Sequence, residues 1–120
     1  YASLEDALDE AVQMVIKSKR IVYHLYRSAD RALVEMYLMR ICEQVILSYI
    51  HDNRGDLPIS QEDKTIIVRY YKCQCFGMII DWLNSDMRFD IAAEARRMYE
   101  LRKGMPEEII RRASMQRPRA

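Results

Sequence analysis

Apolar residues recur along most of this chain at intervals of three and four positions, which is the spacing of one face of an α-helix. Leu4, Leu8, Ala11 and Val15 form such a stripe near the start of the chain. No segment shows the alternation of apolar and polar residues that a half-buried strand requires. The pattern therefore predicts an all-α fold, a helical bundle of about five to six helices.

Capping residues and turn formers give the approximate helix limits. Ser3 and Ser60 each precede an acidic residue by three positions, a typical N-terminal capping pair, and Asp90 is a third candidate cap. Gly104 is expected to end the fifth helix, and the turn formers of 52–58 to end the third. The predicted helices are 4–17, 20–27, 30–51, 60–86, 91–103 and a short sixth from Pro106 to about Met115, before a frayed tail at 117–120.

The fourth predicted helix is apolar on more than one side. At 3.6 residues per turn its apolar positions fall into three sets, which are Ile67, Tyr71 and Met78, then Ile66, Tyr70, Cys73, Gly77 and Ile80, and finally Val68, Cys75, Ile79 and Trp82. A helix with one neighbour needs only one apolar stripe, so we expect a second copy of the chain to cover part of this one. Gly77 costs roughly 1 kcal/mol relative to Ala in mid-helix. It indicates either close approach of another helix or simple sequence drift.

Composition narrows the possible functions. A chain of 120 residues makes one domain, and a net charge of +1 gives no general attraction to nucleic acid or anionic membrane. Residues 88–120 are net basic, and Arg111, Arg112, Arg117 and Arg119 are interpreted as a solvated helix and tail. The longest uncharged stretch, 73–80, is far shorter than the roughly 18 residues of a membrane span. No membrane contact is therefore expected.

The residues that usually carry chemistry argue against an enzyme. Cys73 and Cys75 point to different sides of a helix, so they are poorly placed to bind one metal or to pair with each other. Together with Cys42 they are expected to be reduced, buried thiols of a cytosolic protein. The two histidines, His24 and His51, lack a metal-ligand spacing, and there is no Gly-rich phosphate loop. The sequence predicts no catalysis, no metal and no cofactor.

Several polar side chains lie among apolar residues, as they do in small-molecule sites between helices. The candidate effector pocket consists of Tyr23, His24, Tyr37, Arg40, Gln44, Tyr71, Gln74 and Met78. Tyr and Met side chains suit an apolar or aromatic compound, whereas Arg40 and His24 would allow an anionic group. The alternative is that these residues are ordinary core, with tyrosine hydroxyls reaching the surface.

The sequence YYKCQCFGMIIDWLNSDM, which ends the fourth helix, resembles the C-terminal domain of TetR-family transcriptional regulators. It is most similar to the branch that includes regulators of dihydroxyacetone kinase genes. A capped first helix, a short aromatic-rich second helix and a long third helix fit the same family. The resemblance covers roughly residues 3–103.

This resemblance implies a homodimer in which the helices at 60–86 and 90–103 pair with those of a second copy. The residues expected at that interface are Ile66, Tyr70, Cys73, Phe76, Gly77, Ile80, Trp82 and Met98. It also implies an unknown small-molecule effector that favours one dimer arrangement and so changes the spacing of two DNA-reading heads. The protein would act in the cytoplasm as a repressor, and would contact DNA only through those heads.

The heads are N-terminal helix-turn-helix modules, which this chain lacks. Because the chain starts at Tyr1 directly before a helix cap, we expect it to be an excised part of a longer protein. Residues 1–104 would form the effector-binding and dimerisation domain, and 105–120 a short helix and tail of open role. The competing hypothesis is a helical protein-interaction or scaffold module without a small-molecule ligand. A regulator controlled by a protein partner is a further possibility within the first hypothesis.

Overall fold

A computed structural model describes residues 1, 3–53 and 58–115 of the chain. Its helices are α1 (Leu4–Lys17), α2 (Lys19–Arg27), α3 (Arg31–Asn53), α4 (Gln61–Asn84), α5 (Ile91–Leu101) and α6 (Met105–Ala113). The described residues contain no strand, so the all-α prediction is confirmed. The centre of the predicted turn (54–57) and the tail with Arg117 and Arg119 lie outside the described residues.

Side-chain caps start three of the helices where the sequence predicts them. The hydroxyl of Ser3 accepts from the backbone N–H of Asp6 at 3.1 Å, and that of Ser60 accepts from the N–H of Asp63 at 3.0 Å. A carboxylate oxygen of Asp90 accepts from the backbone N–H of residue 93 at 3.0 Å. Each cap satisfies one of the backbone donors that a helix N-terminus leaves free.

The hydrophobic core lies between α1, α3 and α4. α3 packs along both α1 and α4, α5 packs on α1, and α2 packs on α3. The largest fully buried apolar side chains are Tyr26, Tyr49, Leu4, Leu38, Ile46, Ile50, Ile79 and Leu83. Because they come from α1, α2, α3 and α4, one continuous core holds these four helices together.

A polar network fixes the turn between α4 and α5 against α2. The hydroxyl of Tyr23 donates to a carboxylate oxygen of Asp86 at 2.7 Å, and Arg27 pairs with the same oxygen. Asp86 and the next residue, Met87, both adopt left-handed backbone conformations, with φ of 60° and 58°. The turn is therefore held by side chains from a helix distant in sequence.

The start of α6 differs from the prediction. α5 ends at Leu101, and Gly104, expected to stop that helix, instead precedes α6 with a left-handed φ of 88°. Pro106 occupies the first turn of α6, where its missing N–H costs nothing. Ile110 is buried in the same core as the other helices. α6 therefore packs on the main body, where it can contribute to a surface feature next to α4 and α5.

Candidate functional site

The protomer buries most of two of the three apolar sets of α4 and leaves the other set largely uncovered. The buried side chains of this helix are Ile67, Val68, Tyr71, Cys75, Ile79, Trp82 and Leu83. A second set of small and apolar residues, Ile66, Tyr70, Cys73 and Gly77, recurs at helical spacing and is exposed. Tyr70 is the most open of them, with 68% of its surface accessible. We call these four residues the α4 stripe.

A half-open groove of about 560 Å³ lies beside the α4 stripe, between α4, α5 and α6. Its lining residues are Leu8, Ile66, Ile67, Tyr70, Tyr71, Gln74, Cys75, Met78, Ala95, Met98, Tyr99, Arg102, Met105 and Ile109. Most of these side chains are apolar or aromatic, and Arg102 is the one charged residue among them. The groove thus combines a large apolar wall with one positive charge, which is the usual composition of a small-molecule site.

Arg102 is held in the groove wall by aromatic rings and an amide. Its guanidinium carbon lies 5.0 Å from the ring centre of Tyr99 and 5.9 Å from that of Tyr71. One terminal nitrogen donates to the side-chain oxygen of Gln74 at 3.4 Å. No carboxylate of the described residues lies within 4 Å of this guanidinium, and its buried Nε has no hydrogen-bond partner there. The charge therefore lacks a counter-ion within the described part of the protomer.

Tyrosine hydroxyls add further unsatisfied polar atoms to this region. Tyr99 is only 9% exposed, and neither its hydroxyl nor that of Tyr49 has a hydrogen-bond partner among the described residues. Burial raises the pKa of Tyr71 and of Tyr99, so both remain neutral phenols at physiological pH. Buried donors that stay neutral and unpaired are unusual in folded proteins and indicate that a water or ligand completes the region.

The cysteines divide into a buried pair and an exposed single residue. The sulfur atoms of Cys42 on α3 and Cys75 on α4 lie 3.2 Å apart. The hydrogen bond that Cys42 donates to Cys75, together with burial, raises the pKa of the Cys42 thiol. Cys73 is exposed, so the prediction of three buried thiols is wrong for this residue. Cys73 and Cys75 do point to different sides of α4, as helical spacing requires.

Three of the eight predicted pocket residues line the groove: Tyr71, Gln74 and Met78. The other five are Tyr23, His24, Tyr37, Arg40 and Gln44, and none is among the lining residues. Tyr23 instead holds Asp86 at the opposite end of α4, and the other four are exposed. Tyr37, Arg40 and Gln44 miss the groove because α3 packs its opposite side, with Leu38, Cys42, Val45 and Tyr49, against the core. His24 is on the exposed side of α2.

The predicted interface residues lie at different depths. Ile66, Tyr70, Cys73, Gly77 and Met98 are exposed, whereas Phe76 and Ile80 are half-buried against the core. Trp82 is only 4% exposed, and its indole N–H donates to the backbone carbonyl of Phe89 at 3.0 Å. Trp82 therefore belongs to the core of its own protomer and offers almost no surface to a second copy, because the turn after α4 folds over it.

Gly77 lies in open space on the protomer. A methyl group added at its Cα would meet no atom within 4 Å apart from those of its two chain neighbours and the nearby backbone of α4. The close helix approach that the sequence suggested at this position is therefore absent within the described part of the chain.

Sequence reasoning missed Arg102, Met105 and Ile109 as lining residues of the groove. A signal was present, since Arg102 follows Tyr99 by three positions and so shares its helix face. Met105 and Ile109 are four positions apart in a helix that was predicted to lie outside the main domain. Their contribution depends on α6 folding back, which local spacing does not reveal.

Other classes of site lack support in the described part of the chain. No group of three or more His, Cys, Asp or Glu side chains there could hold a metal ion. None of the described helices combines the length and apolar character that a bilayer crossing requires.

The described residues thus form an all-α domain with an uncovered apolar helix face and an adjacent groove, features that are typical of surfaces that bind a partner or a ligand. Comparison with protein families matches residues 2–104 to TetR_C_8, described as a transcriptional regulator C-terminal region. The chain therefore belongs to the family of C-terminal regions of TetR-type transcriptional regulators. Neither the curated proteins nor the solved structures gave a match.

Proposed function

We propose that this chain is the dimerising and effector-sensing half of a TetR-type transcriptional repressor. The observation that carries the proposal is the α4 stripe, a row of small and apolar residues that the protomer leaves exposed. Met98 continues this surface onto α5, with half of its side chain accessible. Pairing α4 and α5 with those of a second copy would remove this surface from water.

Burial of apolar surface is the main driving force for such pairing. Monomeric proteins rarely leave large contiguous apolar patches exposed, and those that exist commonly serve binding. None of the four residues of the α4 stripe is charged, and Arg69, which lines the same surface, has a long side chain that can keep its charge in water at the rim of a contact. Gly77 supports the proposal, since a residue without a side chain lets another helix approach closely.

Regulation would follow from a shift between two dimer arrangements. An effector that binds one arrangement more tightly increases its population and so changes the spacing of the DNA-reading heads. Those heads would be N-terminal helix-turn-helix modules, so DNA contact and repression belong to the longer protein, acting in the cytoplasm. We retain the branch of dihydroxyacetone kinase regulators and the division into 1–104 and 105–120 as parts of this proposal.

A second exposed apolar surface favours the alternative of a protein-interaction module. Leu33, Met36 and Tyr37 are exposed on the outer face of α3, and Ile21 is exposed on α2. This surface is separate from the groove and could bind a protein partner. It could equally serve as the dimer interface, so an experiment must distinguish the two faces.

Sedimentation equilibrium of the wild-type chain and two matched variants makes this distinction. We expect the wild type to have about twice the chain mass of 14.3 kDa. Cys73→Glu places a charge in the α4 stripe without touching the groove, and should give a folded monomer because an interface would have to remove that charge from water. Met36→Glu places the same charge on α3 and should leave the dimer intact. A monomeric wild type, or a dimer broken only by Met36→Glu, would contradict the proposed interface.

A further inference from the structure

We propose that the groove between α4, α5 and α6 binds an amphipathic organic carboxylate, whose head pairs with Arg102 and whose apolar body lies along the methionine-rich wall. This inference rests on the proposed function, because it identifies the chemical class of the effector. It also assigns the binding role to Arg102, which was not among the pocket residues predicted from the sequence.

The charge of the groove selects an anion. Arg102 is the one charged residue among its described lining residues, and no described carboxylate lies within 4 Å of the guanidinium. A guanidinium presents five N–H donors, and here one terminal nitrogen faces Gln74 at 3.4 Å while Nε is buried without a partner. A carboxylate fits the remaining terminal donors, since its two oxygens match the planar fork of the guanidinium.

The rings of Tyr71 and Tyr99 fix the position of this cation. Stacking between two aromatic rings stabilises a guanidinium and restricts its orientation. The buried hydroxyl of Tyr99, which lacks a partner among the described residues, is an additional neutral donor in the same wall. The head-group end of the groove therefore has a cation and a neutral donor and no carboxylate among its described lining residues, which favours an anion over a neutral or cationic group.

The rest of the groove selects an apolar body. Its volume of about 560 Å³ is within the usual range of small-molecule sites. Met78, Met98 and Met105 contribute to its wall from three different helices, together with Ile109. Methionine side chains are flexible and adapt to ligands of irregular shape. An alkyl or aryl chain attached to a carboxylate would place its apolar part here and its charge at Arg102.

The open side of the groove connects this ligand to dimerisation. Ile66 and Tyr70 belong both to the α4 stripe and to the groove lining, and Met98 joins them from α5. A second copy seated on the stripe would lie over the mouth of the groove and complete its wall. The ligand and the second copy would then contact the same side chains. The ligand could therefore bind one dimer arrangement more tightly than another, which is what an effector needs in order to shift the population between them.

Titration calorimetry with three probes of equal length tests the inference on the wild-type chain. We expect octanoate to bind saturably, and octan-1-ol and octylamine to bind at least about tenfold more weakly, since they lack the charge that Arg102 would pair with. Added salt should weaken octanoate binding and leave octan-1-ol binding unchanged. This salt test needs no variant, so it remains valid if a substitution impairs folding.

Substitutions at Arg102 test whether this residue is responsible for the binding of octanoate. Arg102→Gln should reduce octanoate affinity by about tenfold, and Arg102→Lys should restore part of it, because the charge returns without the planar fork. Arg97→Gln is the matched control, since Arg97 is exposed, pairs with Glu100 and does not line the groove. Equal affinity for octanoate and octan-1-ol, or no loss in Arg102→Gln, would overturn the inference.

The same measurements separate this inference from the proposed function. A dimer that binds none of the three probes would mean that the second copy fills the groove itself, and the inference would fail while the dimer proposal stands. Octanoate binding to a chain that sediments as a monomer would support the carboxylate site and contradict the dimer.

Discussion

The two faces of α4 carry similar side chains but differ in what covers them. Ile67 and Tyr71 lie on one face and, like Ile79 on the adjoining face, are buried in the core. Ile66 and Tyr70 lie one position away along the chain and remain open, with 48% and 68% of their surface accessible. Each face has an isoleucine and a tyrosine at corresponding positions, so composition alone does not distinguish them.

This difference shows what hydrophobic periodicity can and cannot reveal. Periodicity predicted that α4 has apolar residues on several sides that must be covered. In the protomer, other helices cover only some of these sides. The face that stays open lies beside the groove and Arg102, so it coincides with the place where a ligand or a second copy can act. We therefore regard an uncovered apolar face as more informative about function than the core that it resembles.

The largest expected effect comes from truncating the buried face. Ile79 is 0% exposed, so Ile79→Ala should leave a cavity and lower the free energy of unfolding by about 2–5 kcal/mol. Ile66→Ala on the open face is the matched control, and should cost about 1 kcal/mol or less in the dissociated chain. Urea unfolding followed by circular dichroism at low protein concentration measures both. Equal losses in the two variants would mean that the faces do not differ as described.

Gly77→Ala should act in opposite directions on folding and on association. An alanine at this open mid-helix position should stabilise the dissociated protomer by about 1 kcal/mol, because glycine is the weaker helix former and the added methyl group meets nothing. The same methyl group should raise the dimer dissociation constant if another helix lies against it. Urea unfolding at low concentration and sedimentation across a concentration series measure the two effects.

Gly104→Ala provides the contrasting glycine substitution. Gly104 has a left-handed φ of 88°, so alanine there should destabilise the fold despite the open space around it.

For Gly77→Ala, an unchanged dimer dissociation constant would exclude Gly77 from the contact between the copies.

Thiol alkylation compares the faces without any substitution. Cys73 on the open face should react readily in the dissociated chain, whereas Cys42 and Cys75 should react only after unfolding because both are buried. Raising the protein concentration should slow the reaction of Cys73 alone, since a second copy would cover it. Mass spectrometry of the alkylated peptides assigns each site. A Cys73 rate that is independent of concentration would contradict the proposed interface.

The fold could be predicted to a large extent because its signals are local. Caps at Ser3, Ser60 and Asp90, together with apolar spacing, placed the helices within a few residues of their observed limits. The groove was predicted only in part, since Tyr71, Gln74 and Met78 lie on the helix that the sequence singled out. Arg40 and His24 were assigned to it on residue type alone, and the packing of α3 and α2 turns both outward.

Trp82 and Arg102 show why the remaining assignments needed three-dimensional contacts. Trp82 has the size and apolar character of an interface anchor, but the turn that follows α4 brings the carbonyl of Phe89 over its indole. Arg102 looks like a helix-terminal cation in sequence, and becomes a groove residue only when α4 supplies Tyr71 and Gln74 beside it. The location of Trp82 depends on Phe89 beyond the end of its helix, and that of Arg102 depends on Tyr71 and Gln74 of another helix.

The smallest expected effect concerns the polar network after α4. There, hydrogen bonds and an ion pair hold the turn, whereas apolar contacts hold the faces of α4. The hydroxyl of Tyr23 and then the guanidinium of Arg27 lower the pKa of Asp86 below its ordinary value. A carboxylate whose folded pKa is lowered stabilises the fold above its ordinary pKa, near 4. That contribution is lost as the pH falls through the lower folded value. Asp86→Asn removes the charge while retaining a residue that tolerates the left-handed backbone.

We therefore expect Asp86→Asn to lower the melting temperature modestly at pH 7, and the difference from wild type to disappear as the pH falls well below 4. Asp81→Asn, a substitution of an exposed residue near the end of α4, is the control for general charge effects. Thermal unfolding of the three proteins across this pH range measures the differences. A deficit that persists in acid would assign the role of Asp86 to hydrogen-bond geometry, because its charge would already be absent in the wild type.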